Sequence, residues 1–323
     1  MAVSPARDER VDDVAEVGHL TPEAAVSRID DWKGKEVRWE TLGGGITNHN
    51  YVVTVNGGPG RPGGGKYVMR IPGDGTDTFI DRERELSNHD AAAKAGVTPP
   101  LLYTLEPEKC TVVPFIEGET MHPETLAGNG ERLGKVVDVV RTYHEKAIFT
   151  NDIVVFDMVR EYMVMARDVD APLPPDVDRM LALADQIEQL MARDAPRPVA
   201  CHNDLLSENF ILDAGGKMWV IDWEYGGMSD PYFDLGDFCV EHPLTDDEER
   251  FVITRYCGAF DAPRYSRMLL YKLVADLWWS IWAMIQVRLS KIDFDFYEYG
   301  MNRVAHFHAN AEKPDFPAWL AEV

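Results

Sequence analysis

Cysteine is scarce in this chain: four among 323 residues, Cys110, Cys201, Cys239 and Cys257, with no C-x-x-C pair. That spacing excludes a disulfide framework and argues against a structural zinc site. Reduced thiols in a cytoplasm are the expectation. Positive charge is scarce too, with 32 Lys and Arg against 55 Asp and Glu and a formal net charge of −23. Such a surface repels phosphate backbones and lipid headgroups, which excludes nucleic acid and anionic membrane surfaces as partners. It would draw in a cation, although acidity also serves solubility alone. Long apolar runs are missing as well. The longest, Leu273 to Val287, is interrupted by Asp276. It falls short of the ~18 residues of a membrane span, so it reads as a buried helix with no membrane insertion. Residues 1–20 are polar and acidic with no apolar h-region, which reads as a mobile tail and not a signal peptide.

Hydrophobic residues make up 45% and charged residues 27%, the balance of an ordinary globular protein. The length allows one large domain or two coupled lobes. Trp39 to Leu42, Tyr51 to Val55, Lys66 to Ile71 and Cys110 to Ile116 read as strands. Thr78 to Ala95 reads as a helix, with Thr78 as N-cap and Gly96 as its stop. After Gly118 the period becomes helical. Leu133, Val136, Val137, Val140 and His144 recur at helix spacing, and so do Val177, Met180, Leu181, Ala184, Ile187 and Met191. A short hairpin follows, Phe210 to Leu212 and Met218 to Ile221 about a turn at Ala214 to Gly216, and helices resume from about Asp246. The expected class is α+β, with a β-rich lobe over residues 21–117 and a helical lobe over 118–323.

The chemistry lies in Cys201-His202-Asn203-Asp204-Leu205-Leu206-Ser207-Glu208-Asn209, an H-x-D-x4-N pattern, and in Ile221-Asp222-Trp223-Glu224 after the hairpin. Phosphoryl transfer needs a carboxylate at the attacking hydroxyl and oxygen ligands that hold Mg²⁺ on the phosphates. Asp204 suits the first task, Asn209 and Asp222 the second. His202 reads as a residue that orients the loop. In the first lobe, Gly43 to Asn48 lies between two strands and could cover phosphates, although glycines serve hairpins equally well. Arg70 could bind α/β-phosphates, with Glu85 fixing it as an ion pair. Gly60 to Lys66 fits G-x4-G-K, but Tyr67 stands where Ser or Thr should meet the metal and a strand follows, so it reads as a hairpin tip.

These residues resemble the choline/ethanolamine kinase family, near its bacterial lipopolysaccharide choline kinase type, with the aminoglycoside phosphotransferases as wider relatives. The likeness is carried by Leu42 to Asn48, Tyr67 to Ile71, Arg82 to Glu85 and Phe115 to Gly118. It continues through Cys201 to Asn209, Ile221 to Tyr225, Asp230 to Gly236, and Trp279 to Trp282 on through Phe294. It implies a two-lobed protein-kinase-like fold with ATP and Mg²⁺ between the lobes. Asp204 is then the base and Asn209 and Asp222 the magnesium ligands. Gly44, Gly45, Thr47, Asn48, Arg70, Glu85, Pro114 and Ile116 belong to the nucleotide site, the last two in the stretch that meets adenine. It also implies an aromatic cage for a quaternary ammonium: Trp279, Trp282, Phe296 and Tyr299, with Glu241 as the acid and Asp204 at the substrate hydroxyl. A fixed cation is held by ring faces without a hydrogen bond. Alternatively, Trp278, Ile281, Trp282 and Ile285 form a core stripe. The implied activity is phosphorylation of choline or ethanolamine. The rivals are a kinase for thiamine or an aminoglycoside, and a non-catalytic nucleotide-binding protein. A homodimer stays open.

Overall fold

The structure is a computed structural model and describes residues 20–43, 48–57, 64–73 and 80–323. Four of the site candidates' neighbours and members therefore lie outside it: Gly44, Gly45, Thr47 and the expected N-cap Thr78, as does most of the N-terminal tail.

A short helix α1 (Pro22–Ser27) precedes β1 (Glu36–Leu42), β2 (Asn48–Asn56) and β3 (Gly65–Pro72). Then come α2 (Arg82–Lys94), β4 (Tyr103–Leu105) and β5 (Cys110–Pro114). The strands form one antiparallel sheet in the order β1-β2-β3-β5-β4. Its register places Thr41 opposite Tyr51, Tyr51 opposite Met69 and Met69 opposite Val112. The buried side chains Val53, Val55, Met69, Ile71 and Val112 meet Ala25, Ile29 and Trp32 from α1 and the turn after it. Leu20, assigned to the tail by its sequence, is buried in this same core. Helix α2 begins at Arg82 because the Asp81 carboxylate caps the Glu83 and Arg84 N–H groups. It ends before Gly96, whose φ of +81° a residue with a Cβ would enter at a cost.

The rest is mostly helical: α3 (Pro123–Leu126), α4 (Gly130–Lys146), α5 (Val155–Asp168), α6 (Val177–Met191), α7 (Pro231–Glu241), α8 (Asp246–Cys257), α9 (Ala262–Leu289), α10 (Phe296–Ala311) and α11 (Phe316–Glu322). Short strands interrupt it. β6 (Gly118–Thr120) pairs with β8 (Phe210–Asp213), which pairs with β9 (Met218–Val220). β7 (Val199–Cys201) pairs with β10 (Gly227–Ser229). Helix α7 corrects the expectation that helices resume only near Asp246. Its signals were an Asp230 N-cap and Pro231 in the first turn, hidden by the polar residues around them.

Helix α9 is the spine, packed by α5, α7, α10 and α11. Its 28 residues make it long and apolar enough to cross a membrane by length and composition, but 94% of its most apolar window is buried inside the protein. The sequence made this run look shorter because Arg267 and Lys272 break it, and both are buried against acids, Asp230 and Glu249 respectively. Where α7 crosses α9, a Cβ on Gly236 would stand 2.7 Å from the Met268 carbonyl oxygen. Only glycine permits that approach, and it brings the acids of α7 under the loop that follows β7.

Candidate active site

The pairing of β7 with β10 sets two loops side by side, Cys201 to Asn209 and Ile221 to Tyr225. They are then fastened atom by atom. The His202 Nε2 lies 2.8 Å from the Ile221 carbonyl oxygen, the Asn203 amide donates to the Tyr225 carbonyl at 2.9 Å, and the Ile221 N–H donates to the Asn209 carbonyl at 2.9 Å. Nδ1 of His202 accepts the Asp204 N–H at 3.3 Å. Both ring nitrogens are thus engaged, and burial holds the imidazole below its ordinary pKa, in the neutral form. His202 shapes the loop. Asn203 and Asp222 take φ of +65° and +71°, strained for residues with a Cβ, so the surrounding bonds over-determine these turns.

The fastening centres on Asp234 of α7. This fully buried carboxylate accepts the His202 N–H at 2.9 Å, the Asn203 N–H at 2.7 Å and the Tyr143 hydroxyl at 2.7 Å. His144 Nε2 stands 3.0 Å away. Burial alone would raise its pKa, but the His144 and Tyr143 bonds and the backbone N–H groups outweigh burial and hold it below the usual range. Since the folded value is the depressed one, this group's stabilisation is present above the unfolded pKa of about 3.9 and is lost as pH falls through the folded value. Asp234→Ala strands several buried donors at about 1–3 kcal/mol each. A urea melt of that variant is expected to show a loss of about 3 kcal/mol or more; a loss below about 1 kcal/mol would mean the loops are held elsewhere.

Asp204 offers its backbone carbonyl to the Asn209 amide at 2.9 Å, which leaves the amide oxygen of Asn209 for another ligand. Burial, then the carboxylates of Asp237, Asp222, Glu224 and Glu241, push the Asp204 carboxyl well above its ordinary value. An acid in that setting is charged most readily when a cation arrives.

On the sheet side, Arg70 donates to Asp222 at 2.7 Å and to Glu224 at 2.9 Å, and its other terminal nitrogen lies 3.3 Å from Glu85. The expected Arg70–Glu85 pair is therefore one edge of a wider cluster. Arg82, whose part the sequence did not reveal, donates to Glu85 at 2.7 Å. Asn48 borders the same small cavity as Arg70, Arg82 and Glu85. Oxygens of Glu85, Asp222 and Glu224 lie within 4.8 Å of one another, a hard-donor set of the kind that suits Mg²⁺. Pro114 ends β5 opposite Tyr67, and Ile116 follows it, where the chain leaves the sheet for β6.

The four aromatic candidates do converge. Trp282 stands edge-on to Trp279, Phe296 and Tyr299, with centroids 5.9, 5.7 and 6.3 Å away. Tyr225, which the sequence analysis did not assign to the cage, adds a ring 5.3 Å from Trp279. Trp278, Ile281 and Ile285 are fully buried core, while Trp282 is only partly buried. Glu241 sits beside the rings but is ion-paired to Arg303, which also donates to the Tyr299 hydroxyl at 3.1 Å. One helical turn earlier, Asp237 accepts the Trp279 indole N–H at 2.9 Å and the Leu205 N–H at 2.7 Å. Asp234, Asp237 and Glu241 fall at i, i+3 and i+7 of an otherwise apolar helix, and that spacing could have marked them as one inward face.

Comparison with known proteins follows the same lines. The family model of choline/ethanolamine kinase matches residues 39–256. Protein LicA of Haemophilus influenzae is 27% identical over 273 residues, 81% of this chain and 76% of its own. Ethanolamine kinase 2 of Mus musculus is 26% identical over 300 residues, 84% of this chain and 76% of its own. A choline/ethanolamine kinase family protein from Mesorhizobium loti has a crystal structure that superposes with a TM-score of 0.80, at 29% identity, over 93% of this chain and 96% of that one. The fold is α+β and protein-kinase-like, a small sheet lobe beside a helical one. The chain belongs to the choline/ethanolamine kinase family and is a small-molecule kinase.

Proposed function

We propose that this kinase transfers the γ-phosphoryl group of ATP to the hydroxyl of choline or ethanolamine, with Mg²⁺. The observation that carries the proposal is the meeting of two charge environments at Asp204. To one side lie the Arg70–Glu85–Asp222–Glu224 cluster and Asn209; to the other lie the rings of Trp279, Trp282, Phe296 and Tyr299 with Asp237 and Glu241 behind them. Bound Mg²⁺ supplies charge compensation for the triphosphate. Asp222 and Asn209 would hold it, with the excess of carboxylate oxygen around them supporting that fit. Arg70, steadied by Glu85, would bind phosphate oxygens, and Gly44, Gly45, Thr47 and Asn48 are the residues that would contact the nucleotide. Pro114 and Ile116 would meet the adenine. Asp204 orients the acceptor hydroxyl and takes its proton. The division into residues 21–117 for nucleotide and 118–323 for catalysis and substrate, and a cytoplasmic setting for the four unpaired cysteines, belong to the same proposal.

The rings favour a small ammonium substrate. A quaternary ammonium cannot donate a hydrogen bond, so it is held by ring faces and distant carboxylates. An aminoglycoside site would present more carboxylates and fewer rings. ADP release measured with choline, ethanolamine, thiamine and an aminoglycoside tests this: turnover is expected with the first two, and turnover only with either of the others would overturn the assignment.

Trp282 separates cage from core. A desolvated cation–π contact is worth about 2 kcal/mol, roughly 30-fold in affinity. Trp282→Leu keeps the helix and most of the burial and removes the ring face. The KM for choline is expected to rise roughly 10–30-fold with the KM for ATP nearly unchanged. A stability loss of about 3 kcal/mol or more with both KM values unmoved would make Trp282 a packing residue.

A further inference from the structure

Asp237 touches both halves of the site and is itself shielded from solvent. Its Oδ2 accepts the N–H of Leu205, the residue after Asp204, and its Oδ1 accepts the indole N–H of Trp279. One carboxylate therefore fixes the loop of the proposed base against the ring of the proposed cage. The charges nearby are unevenly matched. Glu241 is ion-paired to Arg303. Asp222, Glu224 and Glu85 share Arg70, and Glu85 also has Arg82. Among the described residues neither Asp204 nor Asp237 has an ion pair, and Arg303 acts on Asp237 only as a more distant charge.

A buried carboxylate without a counter-ion is costly, and the cost is relieved when a cation enters beside it. The indole offers a path for that effect. An N–H donated to an anion raises electron density on the ring, and the ring face attracts a cation through its negative quadrupole. Glu241, the acid expected from the sequence, has its charge answered by Arg303; Asp237 has no such partner, and burial together with the nearby Glu241 pushes its carboxyl up to about 8, so its charged form is the one an entering cation would favour.

We propose that Asp237 is a positioning and specificity-determining residue, which clamps Trp279 to the Asp204 loop and lends its ring the negative charge that selects a cationic alcohol over a neutral one of the same shape. This rests on the choline/ethanolamine reading above. It differs from a purely structural clamp in one respect: the effect should depend on the charge of the substrate.

The test compares choline with 3,3-dimethylbutan-1-ol, in which carbon replaces the nitrogen. The neutral alcohol is followed as a substrate or, where it is not turned over, as an inhibitor competitive with choline. In Asp237→Asn, which keeps size and loses charge, kcat/KM for choline is expected to fall at least about tenfold. The constant for the neutral alcohol should change less than about threefold. Parallel losses on both would overturn the proposal and leave Asp237 a clamp only. Should Asp237→Asn fail to show a cooperative melt, Trp279→Phe serves, because it keeps a ring face and loses the N–H. The same selective loss supports the proposal there, and a parallel loss overturns it. A wild-type protein inactive on every amino alcohol would remove the functional reading and this inference together. An active wild type whose variants keep its preference would remove this inference alone.

Discussion

Asp222→Ala is expected to lose turnover by at least about 10³-fold, with no recovery at any practical Mg²⁺ concentration. The carboxylate stands just after β9 at a φ of +71°, 2.7 Å from Arg70. Two things go when it is removed. The proposed magnesium site would lose its main carboxylate, which would leave the charge on the triphosphate uncompensated. Arg70, kept by Glu224 and Glu85, loses the partner that balances it between metal and phosphate. Folding should survive, because the neighbouring loop is pinned by Asp234 and not by Asp222. The check is a magnesium titration of ADP release beside a thermal melt. Near-normal turnover with wild-type metal dependence would mean that another group holds the ion.

Asp204→Asn is expected to lower kcat by roughly 10²-fold or more while leaving folding and ATP affinity nearly intact. The substitution keeps the shape, and the backbone bonds to His202 and Asn209 do not involve the side chain. What disappears is a proton acceptor at the substrate hydroxyl. Burial and the neighbouring carboxylates raise this acid, so the wild-type rate should decline as the medium is made more acidic and Asp204 takes up a proton. That acid limb should be missing from the residual activity of the variant. A variant that retains both the rate and the limb would remove Asp204 from the chemistry.

The residues proposed for the chemistry were legible because they are local. Asp204 and Asn209 sit on one loop, Asp222 follows a recognisable hairpin, and backbone pairing of β7 with β10 brings the two together. The residues that hold them were not legible as such. Asp234 and Asp237 lie on a helix missed by the expectation that helices resume only from about Asp246, and each is held in part by backbone N–H groups some thirty residues away, which no side-chain pattern records. Glu241 was named from the family resemblance, but its neutralisation depends on Arg303, brought in by α10. Arg70 was paired with Glu85 from its strand and helix alone, and only the folded chain adds Asp222 and Glu224. The ring cluster proposed as the cage was half visible. Trp279 and Trp282 announce themselves, whereas Tyr225 joins them only because the loop after β9 turns toward α9. The glycine-rich candidates Gly44, Gly45 and Thr47 lie outside the described residues.

Phosphorus NMR of one reaction mixture, containing this protein, ATP, Mg²⁺ and choline, tests the central claim most directly. The signal of the ATP γ-phosphate should give way to that of a choline phosphomonoester, in step with ADP, and withdrawal of the metal should stop the change. Conversion of ATP to inorganic phosphate alone, or an unchanged spectrum with both choline and ethanolamine, would contradict it.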